Sequence, residues 1–173
     1  MNKLLLPFLL CFTISIFSQE NTVSPETKTN SNSVNWDFIC ENYALTGITK
    51  VQINKTDKGG TITLTVETTN PNYIISGNIY VDLTDNTVLP CIDRKNRSVN
   101  GNEISTTYNF SAIEMNKLKI TDIKTIRFNI DGKNTGFGSQ TGFFTAENKK
   151  KYFFTNYDKS KKGYDTAKEI SAL

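Results

Sequence analysis

The chain has 173 residues, 37% hydrophobic and 21% charged, with 20 Lys and Arg against 17 Asp and Glu for a formal charge of +3. This is the profile of one soluble globular domain, and the charge is too small to argue for nucleic acid as a partner of the whole protein. Histidine is absent, which removes Ser-His-Asp and Cys-His catalysis, imidazole metal ligation and an imidazole proton shuttle.

Residues 1–19, MNKLLLPFLLCFTISIFSQ, read as a secretory signal peptide. Lys3 is followed by an apolar and hydroxyl run from Leu4 to Phe17, then by polar residues with no basic stop-transfer cluster. The run is shorter than the roughly 20 residues a spanning helix needs, so no transmembrane segment is expected in the mature chain. Cys11 raises lipidation as a rival reading. Leu10 precedes it where a small residue should stand, and the apolar run continues past it through Phe17. Residues 20–35 are polar, contain Pro25 and lack periodicity, which predicts a flexible leader. A β domain is expected over 36–158, entered at Trp36, with 159–173 as a basic tail or short helix.

From Trp36 the dominant signal is alternation of period two. Ile48 to Lys55 places Thr49, Val51 and Ile53 on one face, and Thr61 to Glu67 places Ile62, Leu64 and Val66 on one face. Asp57, Lys58, Gly59 and Gly60 between them supply hairpin chemistry. Asn78 to Leu83 buries Ile79, Val81 and Leu83, and a turn at 84–87 leads into Val88 to Cys91. Beyond a polar loop whose Asn100-Gly101 signals a hairpin, Glu103 to Phe110 alternates with Ile104, Thr106, Tyr108 and Phe110 on one side.

The period then changes. Ser111-Ala-Ile-Glu114 is a capping box ahead of a helix of about two turns carrying Ile113, Met115 and Leu118. Alternation returns at Ile123 to Ile130, with Ile126, Phe128 and Ile130 inward and Thr125, Arg127 and Asn129 outward. Asp131 to Asn134 reads as a turn, Phe137 to Phe143 as a further strand, and Tyr152-Phe153-Phe154 as an edge strand. Thr166-x-x-Glu169 is a weaker capping box before a short terminal helix. About eight short strands with one or two short helices predict an all-β antiparallel β-sandwich, with a flattened β-barrel as the alternative.

Without the signal, Cys40 and Cys91 remain, and an exported chain meets an oxidising compartment, so a Cys40–Cys91 disulfide is expected. The alternative is two separately buried thiols. The segment YNFSAIEMNKLKITDIKTIRFNIDGK, Tyr108 to Lys133, together with a short signal ending in Ser-Gln, resembles small secreted uncharacterised proteins of Bacteroidota. The resemblance implies a mostly β protein of the bacterial envelope or exterior, and it implies no activity.

Few constellations carry chemistry. Asp82 and Asp85 are a carboxylate pair near a turn, with Asp82 on the polar face of its strand beside Tyr80 and Asn78. Catalysis by two carboxylates needs a set separation in a cleft. Asn129, Asp131, Gly132 and Asn134 lack the acidic series and terminal Glu of a calcium loop. Gly136, Gly138 and Gly142 have the wrong spacing for a phosphate loop, and Ser139 has no base to activate it. Lys149 to Lys151, Lys159, Lys161 and Lys162 interleave with Tyr152, Phe153, Phe154, Tyr157 and Tyr164. That pattern suits contact with an anionic polymer, or more simply a solvated edge and tail. Trp36 reads as the core anchor of the first strand rather than a sugar platform. No catalytic, cofactor-binding or metal-binding residue is assigned.

The expectation is therefore a secreted or periplasmic, non-enzymatic binding domain whose partner is an envelope protein or a glycan. A carboxylate-only hydrolase and a small inhibitor or immunity-type protein are the alternatives. N-terminal sequencing of exported material should give Gln19 or Glu20 as the first residue; retained Met1 or a lipidated Cys11 contradicts the signal assignment.

Overall fold

Alternating apolar residues leave each segment with one wet and one oily face, and the oily faces meet only if the segments pair side by side. The computed structural model describes residues 32–41, 43, 46–132, 140–152, 157 and 161–173. Within them run nine strands: β1 (Ser33–Ile39), β2 (Ile48–Thr56), β3 (Gly59–Glu67), β4 (Tyr73–Leu83), β5 (Val88–Cys91), β6 (Asn96–Asn100), β7 (Glu103–Ser111), β8 (Ile123–Gly132) and β9 (Gly142–Glu147). Two short helices, α1 (Ala112–Leu118) and α2 (Thr166–Ser171), complete the described elements. All pairings are antiparallel, in the order β5-β4-β8-β9-β1-β2-β3-β7-β6, in one unclosed sheet. The sheet folds over until β4 meets β7, giving an all-β, sandwich-like fold around one core.

Register follows the alternation. Val51 stands opposite Leu64 and Ile53 opposite Ile62 in the β2–β3 pair. All four are buried, as are Val66, Ile126, Phe128 and Ile130. The outward hydroxyls form cross-strand bonds, Thr63 with Thr107 at 2.8 Å and Thr65 with Ser105 at 2.7 Å. In the β2–β3 hairpin only Asp57 and Lys58 lie between the strands, because Thr56 already pairs with Gly59. Gly59 has φ +144°, and a Cβ there would run into the Phe110 carbonyl. Its glycine thus serves the approach of β7 as well as the turn.

The fold-over is held by a break in β4. Between the pairs Ser76↔Asn129 and Tyr80↔Arg127, three residues of β4 face Phe128 alone. Gly77 adopts φ +73° in this bulge, with open space where a Cβ would go, so the demand is on backbone conformation and not on room. Two carbonyls beside the break accept from the other layer. Thr106 Oγ1 donates to the Ile75 carbonyl at 3.0 Å, Arg97 Nε to the same oxygen at 3.2 Å, and Tyr108 Oη to the Gly77 carbonyl at 3.2 Å. Asp93 accepts the Gly77 amide at 3.0 Å and pairs with Arg97.

The helices seal the ends. The Ser111–Glu114 capping box forms as expected, and Met115 and Leu118 are buried beneath α1. The Thr166–Glu169 box does not form: Asp165 is the N-cap, and no side chain caps the helix. Thr166 is instead buried, and its Oγ1 accepts the Ile123 amide at 2.8 Å. Glu169 accepts the Trp36 indole N–H at 2.8 Å. Tertiary donors have claimed both side chains. Residues 161–173 are therefore no loose tail, since Ile170 is fully buried.

Other expectations shift. β1 begins at Ser33, inside the stretch read as leader, because Ser33 to Asn35 pair with β2. β6 has no apolar alternation of its own and is organised by its pairing with β7. The strand read at Phe137 to Phe143 runs over Gly142–Glu147, since Phe144 pairs with Phe128 and sends Phe143 to the outer face. Tyr152 lies in a bend, with its hydroxyl donating to the Thr46 carbonyl. The expectations for residues 1–31, Lys133, Asn134, Gly136, Phe137, Gly138, Ser139, Phe153, Phe154 and Lys159 lie outside the described residues.

No bond joins Cys40 and Cys91 in this structure, and both residues are buried. Cys40 follows β1 and Cys91 ends β5, with β4, β8 and β9 between those strands in the sheet. Cys40 lies beside Tyr43, whereas Cys91 faces the Tyr108 and Glu114 side. Burial pushes the Cys91 thiol up to about 12, so it is unreactive in the folded protein. A thiol reagent should label Cys40 and Cys91 in unreduced protein once it is denatured; labelling that waits for a reductant refutes the two-thiol core.

Leu64 is fully buried and Thr63 is on the outer face. Leu64→Ala should therefore cost about 2–5 kcal/mol through lost burial and a cavity. Thr63→Ala should cost about 1 kcal/mol or less, mainly the hydroxyl bond to Thr107. Urea midpoints of the two variants measure the difference, and equal losses contradict the face assignment.

Candidate functional site

Successive side chains of a strand alternate between faces, so the residues of β4, β8 and β9 that do not enter the core share an outer surface. Register sets them in rows: Tyr80, Arg127 and Thr145 in one, Ser76, Asn129 and Phe143 in the next, Asp82, Thr125 and Glu147 in a third. Phe143 is 91% exposed and Tyr80 40% exposed. A shallow depression of about 310 Å³ lies among Asn78, Tyr80, Arg127, Phe143 and Thr145.

Arg127 is the fixed point of this surface. Its Nε and Nη2 each donate to Asp82 at 2.8 Å, one to each carboxylate oxygen. Thr125 donates to Asp82 at 2.8 Å as well. Partial burial raises the Asp82 carboxyl, but the Arg127 and Thr125 hydrogen bonds outweigh it and hold the group below the usual carboxylate range. The same bond to Asp82 raises the Arg127 guanidinium. Arg127 Cζ also stands 5.2 Å from the centre of the Tyr80 ring, in cation–π range. Asn129 Nδ2 donates to Ser76 Oγ at 3.0 Å. The ionic pair is thus internally neutralised, and its polar atoms are held in place before any ligand arrives.

A larger cleft of about 450 Å³ opens between the end of β5 and the β3–β7 pair. Its Lys58 and Arg94 are solvent-exposed, and its Glu114 is spent on the α1 cap, accepting from both the amide and the hydroxyl of Ser111.

The residues singled out from sequence are mostly engaged elsewhere. Asp82 and Asp85 do not form a dyad: Asp82 binds Arg127, while Asp85 binds Lys117 and the Thr87 amide. Hydrogen bonds from Lys117 and Thr87 lower the Asp85 carboxyl to about 2. Both carboxylates are ionised at neutral pH, and neither suits a general acid. Lys149 pairs with Glu41 and Glu147, and Lys161 with Asp165. Lys150 lies over the ring of Tyr164, which stacks on Phe38. Lys149, Lys150 and Lys161 are therefore engaged within the fold itself. Asn129 and Asp131 belong to β8 rather than to a loop, and Trp36 is 3% exposed in the core.

The site as found, Tyr80, Arg127 and Phe143, was missed as a set in the sequence. Tyr80 and Asn78 were visible beside Asp82 on one polar strand face. The pairing of Asp82 with Arg127, 45 residues later, and the outward turn of Phe143 depend on strand order and register. Among the described residues no group of three or more His, Cys, Asp and Glu side chains gathers as for a metal ion, and no helix is long and apolar enough to cross a membrane. No family model, no curated protein and no solved structure matches the chain.

Proposed function

We propose that the protein is an exported, non-enzymatic binding domain acting at a bacterial cell envelope, secreted or periplasmic, with the outer face of β4, β8 and β9 as its contact surface. The export signal read at residues 1–19 and the resemblance of Tyr108 to Lys133 to secreted proteins of Bacteroidota support the location. The observation that carries the binding role is Phe143, 91% exposed beside an Arg127 already locked to Asp82. An aromatic ring left in water next to a preorganised polar pair is surface suited to a partner. The ionised, engaged state of Asp82 and Asp85 favours binding over carboxylate hydrolysis.

Cosedimentation with isolated bacterial envelopes tests the reading. Wild-type protein should cosediment. Phe143→Ser should lose most of that binding, whereas Ile113→Ser, on the exposed side of α1, should keep it. Equal binding by Phe143→Ser and wild type, or none by wild type, overturns the assignment of this face.

A further inference from the structure

Resting on the binding face just assigned, we propose that its ligand is a neutral saccharide, engaged through one or two pyranose rings by Tyr80, Arg127, Asp82 and Phe143. Charge is the first argument. The guanidinium and the carboxylate at the centre of the face neutralise one another through two 2.8 Å bonds, so this pair offers no net charge to an acidic polymer or a basic peptide. What it does offer is directional. A guanidinium has five N–H donors, of which Nε and one on Nη2 are used on Asp82, leaving three, while the carboxylate keeps lone pairs beyond those taken by Arg127 and Thr125. A sugar hydroxyl donates and accepts at once, and adjacent hydroxyls match such a paired donor and acceptor.

Ring placement is the second argument. Tyr80 and Phe143 are outward on β4 and β9, with Arg127 on the strand between them. The exposed Phe143 ring and the part of the Tyr80 ring not covered by Arg127 supply apolar surface on the strands either side of Arg127, and the C–H face of a pyranose is apolar while its edge is hydroxylated. Asn78 and Thr145 add an amide and a hydroxyl at the rim. Size is the third. A depression of about 310 Å³ is at the lower end of small-ligand sites and suits a short saccharide; a stable protein partner needs about 800 Å² of surface per side.

Direct binding to defined neutral oligosaccharides, by glycan array and then titration calorimetry of the purified protein, tests the proposal. At least one neutral glycan should bind, and Phe143→Ala and Arg127→Ala should each weaken it by about tenfold or more. Lys58→Ala, in the other cleft, should leave it unchanged. Raising salt from 50 to 500 mM should alter the affinity by less than about threefold, because no ligand charge is involved. Binding only to acidic glycans, or neutral-glycan binding indifferent to Phe143→Ala, overturns the proposal. If no glycan binds while envelope cosedimentation still depends on Phe143, the saccharide assignment fails and the binding face stands. If cosedimentation is also indifferent to Phe143, both fail.

Discussion

Two carbonyls of a broken strand hold the halves of this protein together. At the break in β4, where pairing with β8 is interrupted after Ser76, the Ile75 carbonyl belongs to a buried residue and the Gly77 carbonyl to an exposed one, and both take donors from the other layer. Thr106, Arg97 and Tyr108, all from the far end of the same sheet, satisfy them. Each bond is worth about 1 kcal/mol net, yet leaving the buried Ile75 oxygen unsatisfied would cost about 1–3 kcal/mol. That asymmetry sets the fold-over distance: β4 sits against β7 where these side chains reach it, and the apolar residues of both layers then close into one core. Burial pushes the Tyr108 phenol well above its ordinary range, so this hydroxyl stays a donor throughout the physiological pH range.

The same break shapes the outer surface. The two extra residues of β4 shift its register against β8, so that beyond the bulge Tyr80 rather than Asn78 stands opposite Arg127. The guanidinium then lies over the Tyr80 ring, 5.2 Å from its centre, and donates to Asp82 from its edge. Without the shift the aromatic and the carboxylate would each move along the strand relative to Arg127. One irregularity thus closes the core on its inner side and assembles a polar, aromatic-flanked patch on its outer side. Bulges recur beside binding sites for this reason: they re-aim side chains without altering the rest of the sheet.

Buried threonines illustrate how little a polar residue at an inward position reveals by itself. Thr49 and Thr106 both occupy inward places in alternating strands, and both are buried. Thr106 is a structural donor to β4, while the Thr49 hydroxyl has no hydrogen-bond partner among the described residues. Their local sequences do not separate them, because the difference lies in what the opposite layer presents.

Local patterns decided a large share of the architecture. Alternation at Ile48 to Lys55, Thr61 to Glu67 and Ile123 to Ile130 determined which side chains are buried, since a strand has only two faces and water accepts one of them. The spacing of Ser111 and Glu114 determined where α1 starts, because both partners of a capping box lie within one turn. Long-range pairing decided the rest. It recruited the unpatterned β6, and took Thr166 and Glu169 away from a helix cap to serve Ile123 and Trp36. It also brought Arg127 to Asp82 and turned Phe143 outward. Such contacts depend on strand order, and strand order is set by how all the apolar faces close together rather than by any segment's own residues.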